Sequence, residues 1–201
     1  MRLSAGEIAR KAVHMAGVLV IPLLQQLGPA KTAALFFSLS AALYLYPSFA
    51  EKSEKTVLAG FTKGFRNALD FLERKDHKRY RGAMYFFASI GAISLIFPIQ
   101  AVSVALIVLC IGDGVSALVG RSLGKNRLFH NRSKSWEGSL SGFVASGVVC
   151  TAITNIPMAI FAAFVGMLVE SVDTKINDNL SVPFTVSILS SLTVYLGLLT
   201  F

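Results

Sequence analysis

Seven apolar stretches, separated by polar connections, make up most of this chain. Crossing a hydrocarbon layer about 30 Å thick takes roughly 20 helical residues, and the stretches approach or reach that length. With 54% hydrophobic and 15% charged residues, the 201-residue chain has more apolar side chain than a soluble domain of its size buries. The sequence predicts an all-α, polytopic membrane protein of about seven transmembrane helices, at 12–27, 30–49, 82–98, 99–119, 137–156, 157–172 and 181–201.

The basic residues alternate between the connections. Loops that stay in the cytoplasm carry an excess of Lys and Arg. Nine basic residues lie between Lys52 and Arg81 and five between Arg121 and Lys134, whereas the connections on the other side hold Lys31 or none. This predicts a cytoplasmic N-terminus and an external C-terminus, and it explains the net charge of +8 without a nucleic-acid partner. No repeat or linker divides the chain, so a single domain, 1–201, is expected.

The polar segment 51–80 has apolar residues every three or four positions, with Lys and Arg between them. That spacing predicts an amphipathic helix lying in the membrane interface. A solvated loop helix that packs on the membrane spans fits the same pattern equally well. The residues that form the apolar face are Val57, Phe61, Phe65, Leu69 and Leu72.

Carboxylates close to the ends of apolar stretches are candidates for chemistry. Ionisable side chains are costly inside a membrane and tend to line cavities there. Asp113 follows Gly112 near the end of the fourth stretch, Glu170 lies near the end of the sixth, and Asp173 and Asp178 follow the sixth. Hard oxygen ligands of this kind suit Mg²⁺, so these four are predicted metal ligands. The alternatives are an Asp113 paired with a neighbouring helix and a solvated charge cluster at a helix end.

The connection from Gly120 to Gly138 combines cations, hydroxyl groups and glycines. Such a segment can clamp a polyphosphate through charge, hydroxyl donors and exposed amides, although a basic cytoplasmic loop is also what orientation requires. It is not a P-loop, because the spacing before Lys125 and the residue after it are wrong. The Gly138–Gly142 spacing predicts close helix packing. The predicted phosphate-binding residues are Gly112, ahead of this connection, and, within it, Gly120, Gly124, Lys125, Arg127, Arg132, Ser133, Lys134, Ser135 and Gly138.

The first helix brings further cations to the same membrane face. Ser4 and Glu7 have the spacing of a capping box, which predicts a helix start near Ser4. Arg10, Lys11 and His14 then share one helix face and are predicted to bind phosphate. Snorkelling cations beside a buried histidine are the alternative.

Four segments, taken in order along the chain, resemble the CTP-dependent lipid kinases, the family of dolichol kinase, phytol kinase and the CTP-using diacylglycerol kinases. The most specific segment combines Gly112-Asp113, Gly124-Lys125 and Lys134-Ser-Trp-Glu-Gly138. The other three are Arg10-Lys-Ala-Val-His14, Arg81-Gly-Ala-Met-Tyr85 and Asp178-Asn-Leu-Ser-Val-Pro183.

The resemblance implies that CTP is the phosphoryl donor, with Mg²⁺ or another divalent cation. It implies a nucleotide site at Asp113, Lys125, Lys134, Ser135, Glu137 and Gly138, with Arg10, Lys11 and Asp178 at the same catalytic face. The predicted catalytic residues are Asp113, Lys125, Lys134, Glu137 and Asp178. Lys125, Arg127, Arg132 and Lys134 would stabilise the transferred phosphoryl group, and one carboxylate would orient or deprotonate the alcohol.

The expected reaction is phosphorylation of a long-chain, dolichol-like isoprenoid alcohol at the cytoplasmic membrane face, giving a lipid monophosphate and CDP. Phytol, geranylgeraniol and diacylglycerol are alternative acceptors. Cytidylyl transfer and ion-coupled transport are alternative functions. The short chain favours a prokaryotic cell membrane, with archaea as one source. Its small residues are compatible with a homodimer, and membrane lipids are its expected surroundings.

Overall fold

The computed structural model describes residues 4–53, 59–72, 80–173 and 176–201. Seven basic residues counted for orientation lie outside these ranges, namely Arg2, Lys55, Arg74, Lys75, Lys78, Arg79 and Lys175. The described secondary structure is helical, with one isolated bridge between Arg127 and Ser135. The helices are α1 Ala5–Ala16, α2 Ile21–Leu27, α3 Pro29–Ser53, α4 Ala59–Leu72, α5 Arg81–Ile96, α6 Ile99–Ile107, α7 Gly114–Ser122, α8 Trp136–Cys150, α9 Ile156–Ser171 and α10 Asp178–Tyr195.

Side-chain caps fix where several helices begin. The Ser4 hydroxyl accepts a hydrogen bond from the Glu7 amide at 3.2 Å, and the Glu7 carboxylate accepts one from the Ser4 amide. These two bonds confirm the predicted capping box. Ser135, Asn155 and Asn177 cap α8, α9 and α10 in the same manner. The charged residues that follow Ser135 and Asn177 therefore occupy fixed first turns.

The centre of the bundle is the continuous helical rod 99–122. It consists of α6, a π-helical segment over Val108–Asp113, and α7. Residues Ala101 to Cys110 are at most 2% exposed, because α5, α8, α9 and α10 surround them. The π-helical segment ends at Asp113, so the wider turn lies directly before the predicted catalytic carboxylate.

Each of the seven predicted spans contains a helix, although only some are long, and the helix of the seventh span ends at Tyr195 rather than at 201. Two helices, Pro29–Lys52 and Ile99–Ser122, are long and apolar enough to cross a membrane. Arg81–Ile96 and Ile156–Ser171 are shorter apolar helices. The first span is broken, because a 3₁₀ segment over Gly17–Val20 joins α1 to α2. The count of seven transmembrane helices therefore stays a prediction.

The amphipathic helix predicted within 51–80 appears as α4, which packs on α1 and α3. The ring of Tyr46 meets that of Phe65 at 5.0 Å, and its hydroxyl donates to the Thr62 carbonyl at 2.7 Å. Val57 and the side chains of Phe61 and Leu72 lie outside the described residues. α4 thus covers the end of the bundle at which α1 begins.

Glycines allow α8 to approach the central rod. A methyl group on Gly142 would lie 2.6 Å from the Gly112 carbonyl oxygen, and one on Gly138 would lie 2.6 Å from the Ser116 carbonyl oxygen. These contacts confirm the predicted close packing at this spacing. They also place Gly112 and Gly138 in a helix–helix contact rather than in an open phosphate loop.

We predict that Gly142→Ala destabilises the protein by about 1–3 kcal/mol, because the added methyl must displace backbone. Gly147→Ala on the same helix is the matched control, since its methyl would lie 3.7 Å from the nearest atom, the Ala163 Cβ. The control variant should be more stable than the wild type by up to about 1 kcal/mol, because alanine has a higher helix propensity than glycine. Thermal unfolding of both variants in the same detergent checks the prediction, which fails if the two behave alike.

Candidate active site

Asp113 is held by two residues of α1. The Lys11 ammonium lies 2.7 Å from Asp113 Oδ2, and His14 Nε2 lies 3.4 Å from the same oxygen. His14 Nε2 is also 3.1 Å from the Leu109 carbonyl oxygen. Because a carbonyl oxygen only accepts, Nε2 carries the hydrogen in this arrangement. Lys11 and His14 are three residues apart, so a single face of α1 meets the end of the π-helical segment.

Glu170 is the most deeply buried carboxylate of the site, with 1% of its side chain exposed. Lys134 donates to its Oε1, and the Ser116 hydroxyl donates to the same oxygen at 3.0 Å. Glu170 Oε2 is buried and has no hydrogen-bond partner among the described residues. One oxygen of this carboxylate is thus fixed, and the other remains available.

Lys134 lies between two acidic helix ends. Its ammonium contacts Glu170 at the end of α9 and lies 3.8 Å from Asp178 Oδ2 at the start of α10. Burial alone would lower the pKa of Lys134, but the carboxylates of Glu170, Asp113 and Asp178 outweigh it and raise the pKa above its ordinary value. Lys134 is therefore a permanent cation at neutral pH.

The segment 123–135 folds back on itself and turns Lys134 inward. The Leu128 amide donates to the Lys134 carbonyl at 3.2 Å, and the Trp136 amide donates to the Asn126 carbonyl at 2.9 Å. Glu137 accepts from the Asn126 side chain at 2.8 Å and from its amide at 3.0 Å. Glu137 therefore holds the loop, and its catalytic role stays a prediction.

Asn131 anchors this loop to α9 and was not identified from the sequence. Its side-chain amide donates to the Ser171 carbonyl at 3.1 Å, and its oxygen accepts from the Ser133 hydroxyl at 2.6 Å. The side chain is buried, so both ends of the amide are used within the protein. Nothing in the local sequence pattern marks it, since an asparagine in a polar loop is ordinary.

Ser116 was also missed, although a signal was present. It lies three residues after Asp113 on the same helix, which places both on one face. Its hydroxyl contacts the Asp113 carbonyl at 3.2 Å and Glu170 Oε1 at 3.0 Å. Ser116 therefore links the backbone at Asp113 to Glu170. These two acids belong to two carboxylate clusters, Lys11–Asp113 and Lys134–Glu170.

A single cavity of about 1380 Å³ contains both clusters. Its volume exceeds the roughly 300–1,000 Å³ of a pocket for one small ligand. Twelve predicted residues line it: Arg10, Lys11, His14, Asp113, Gly120, Ser133, Lys134, Ser135, Gly138, Glu170, Asp173 and Asp178. Arg81 and Arg121 line it as well and were not assigned to the site from the sequence.

Six predicted site residues do not line the cavity. The side chains of Lys125, Arg127 and Arg132 are exposed on the outer part of the loop. Gly112 and Gly124 lie at backbone contacts, and Glu137 holds the loop. The structure therefore does not bring the side chains of Lys125, Arg127, Arg132 and Glu137 to the two carboxylate clusters.

The carboxylates do not form a ready-made metal cage. Among the described residues, no three His, Cys, Asp or Glu side chains are grouped closely enough to hold an ion. Mg²⁺ at phosphoryl-transfer sites is usually held by one or two carboxylates together with substrate phosphates and waters. The donor set fits that mode, because Asp113 and Glu170 line one cavity and Glu170 Oε2 has no partner.

The known proteins to which this chain is similar are named as kinases of isoprenoid alcohols. A probable phytol kinase 2 of Oryza sativa is 33% identical over 56% of this chain and 43% of its own length. A probable phytol kinase 3 of Glycine max is 27% identical over 92% of this chain and 63% of its own. A farnesol kinase of Arabidopsis thaliana is 31% identical over 52% of this chain and 40% of its own.

These relatives confirm the resemblance to the lipid kinases that the sequence motifs indicate. The chain spans about two fifths to two thirds of the length of the three relatives. No family model matches the chain. No solved structure matches it either.

We predict that Lys134→Met destabilises the protein by about 2–4 kcal/mol, because Glu170 is left buried without its cation. The expected loss of stability is smaller than for a fully buried ion pair, since 26% of the Lys134 side chain is exposed. Adding Glu170→Gln to Lys134→Met should restore most of the stability. Chemical unfolding of both single variants and the double variant checks this, and independent, additive effects would contradict it.

Proposed function

We propose that this chain is a membrane kinase that transfers the terminal phosphoryl group of CTP to an isoprenoid alcohol. The observation that carries the proposal is the pair of lysine–carboxylate clusters, Lys11–Asp113 and Lys134–Glu170, in the wall of a single large cavity. Phosphoryl transfer needs charge neutralisation and positioning more than covalent chemistry, and fixed cations beside carboxylates supply both. The preference for CTP comes from the motif resemblance.

The proposed acceptor is a phytol-like or farnesol-like alcohol. Its support is the names of the relatives, which are phytol and farnesol kinases. The dolichol-like acceptor expected from the sequence remains an alternative within the same class. All of these alcohols present a primary hydroxyl on an isoprenoid chain, so the charged part of the site would treat them alike.

The proposed membrane arrangement places the charged cavity at the cytoplasmic face. Its charged lining includes Arg10 and Lys11 of α1, Arg81 at the start of α5, Arg121 at the end of α7, Glu170 at the end of α9 and Asp178 at the start of α10. The Lys and Arg distribution assigns these segments to one side. On α8, Leu140, Val144 and Val148 form an exposed apolar stripe that suits contact with lipid. The relatives are named as chloroplastic, and a prokaryotic membrane stays the prediction for this chain.

In the proposed reaction the acceptor oxygen attacks the terminal phosphorus of CTP, and the bond to the bridging oxygen breaks to release CDP. Lys11, Lys134 and the cavity arginines Arg10 and Arg121 neutralise the phosphate charge. The hydroxyl proton passes to one of the two largely buried carboxylates, Asp113 or Glu170. A bound Mg²⁺, held by these carboxylates together with the donor phosphates, would supply further charge neutralisation.

We predict that Asp113→Asn lowers kcat/KM for the acceptor by about 10²–10³-fold, because a charge that positions Lys11 and His14 is lost. The assay follows label from the terminal phosphate of CTP into farnesol or phytol. Glu51→Gln, at the end of α3 and outside the cavity, is the control and should retain wild-type turnover. Wild-type turnover by Asp113→Asn would contradict the assignment of this carboxylate to the catalytic site.

We predict that a chelator abolishes phosphoryl transfer and that added Mg²⁺ restores it, because the described carboxylates form no closed cage and would share the ion with the donor phosphates. The same chelator should leave thermal unfolding unchanged in the absence of nucleotide, because Lys11 and Lys134 already neutralise the two carboxylates without an ion. Transfer that continues in excess chelator would contradict the metal assignment. A large loss of stability would instead indicate a structural metal.

A further inference from the structure

The cavity has an apolar side that the charge clusters do not use. α3 contributes Leu39, Ala42, Leu43 and Tyr46 to its lining, none of which is charged. The segment after His14 contributes Ala16, Gly17 and Val20. Val20 lies six residues beyond His14, which is roughly 10 Å along the helix axis. The apolar lining thus extends away from the carboxylates, toward the middle of the bundle.

Phe86 joins this apolar side to the catalytic residues. Its ring centroid lies 5.8 Å from that of His14, and His14 Nε2 lies 3.4 Å from Asp113 Oδ2. Gly17 faces the same ring, since a methyl group added there would lie 2.9 Å from Phe86 Cζ. A ligand that lies along Phe86 can therefore place one end close to His14 and Asp113.

The apolar side also opens to the surface between α1 and α3. α1 packs on α4 and α7, whereas α3 packs on α4 and α5, so α4 bridges the two at the charged end. Ala16, Leu39 and Ala42 line the cavity and are exposed as well. In the proposed membrane arrangement this opening faces the lipid rather than water.

We propose that the isoprenoid chain of the acceptor lies in this acceptor channel, which is formed by Ala16, Gly17, Val20, Leu39, Leu43 and Phe86. The alcohol enters sideways from the bilayer between α1 and α3, and its hydroxyl reaches Asp113 past Phe86. The proposal rests on the proposed function and assigns its lipid subsite. An apolar channel that leads from lipid to a cluster of fixed charges fits a molecule with a hydrocarbon chain and one polar end.

Leu43→Trp tests the channel by filling it, and Leu45→Trp is the matched control. Leu45 is two residues along the same helix, 61% exposed and outside the cavity lining. Leu43→Trp should lower kcat/KM for farnesol and phytol by about tenfold or more, as expected for steric exclusion from an apolar pocket. The KM for CTP and turnover of prenol, which has a single isoprene unit, should not change. Leu45→Trp should behave as wild type with every substrate.

Two results would overturn the proposal. Equal behaviour of Leu43→Trp and Leu45→Trp would show that the channel does not hold the chain. A rise in the KM for CTP with unchanged use of farnesol would assign the space to the nucleotide base. Failure of the wild type to phosphorylate any isoprenoid alcohol is a different outcome, because it contradicts the proposed function itself.

A labelling experiment tests occupancy without turnover, and it remains informative if Leu43→Trp does not fold. Both native cysteines, Cys110 and Cys150, are buried, so a maleimide should react mainly with an introduced cysteine. Farnesol should slow labelling of Ala42→Cys and leave Leu45→Cys unaffected, whereas CTP should protect neither. Labelling of Ala42→Cys that farnesol does not slow would overturn the proposal.

Discussion

A carboxylate buried in an apolar helix bundle is stable only with a partner, and this requirement organises the site. Asp113 is paired with Lys11 from α1, and Glu170 is paired with Lys134 from the loop before α8. Removing one member of such a pair leaves an uncompensated buried charge, so each pair holds two distant chain segments together. Ser116 lies between the pairs, and its hydroxyl contacts the Asp113 main-chain carbonyl and Glu170 Oε1. The charges that suit phosphate chemistry thus also fix how α1, the loop and α9 meet.

Close packing around the central rod supports this arrangement. Gly142 and Gly138 let α8 approach the backbone of the rod, and the loop then returns across α9 through Asn131. Because the loop is fixed at both ends, Lys134 points toward Glu170 instead of water. The same cavity continues along Phe86 into apolar surroundings. A charged donor and a hydrocarbon-bearing acceptor can therefore meet at one place.

Much of the fold could be predicted because it depends on local signals. Apolar stretch length located the helices, and the Ser4–Glu7 spacing located the start of α1. The loop was harder, because composition shows that it is basic but not which cations face inward. Lys134 faces the cavity, while Lys125 and Arg127 are exposed, and this depends on the backbone pairing of Leu128 with Lys134. The role of Asn131 depends on a contact with Ser171, far along the chain, which local patterns do not reveal.

The most direct measurement compares CTP labelled in the terminal phosphate with CTP labelled in the phosphate next to the ribose, using purified protein, Mg²⁺ and farnesol or phytol. A kinase moves only the terminal label into the lipid phase and releases CDP. Label from the inner phosphate in the lipid, or release of pyrophosphate with a phosphorylated lipid, would instead show cytidylyl transfer. No label in any lipid from either nucleotide would contradict a role in phosphoryl transfer.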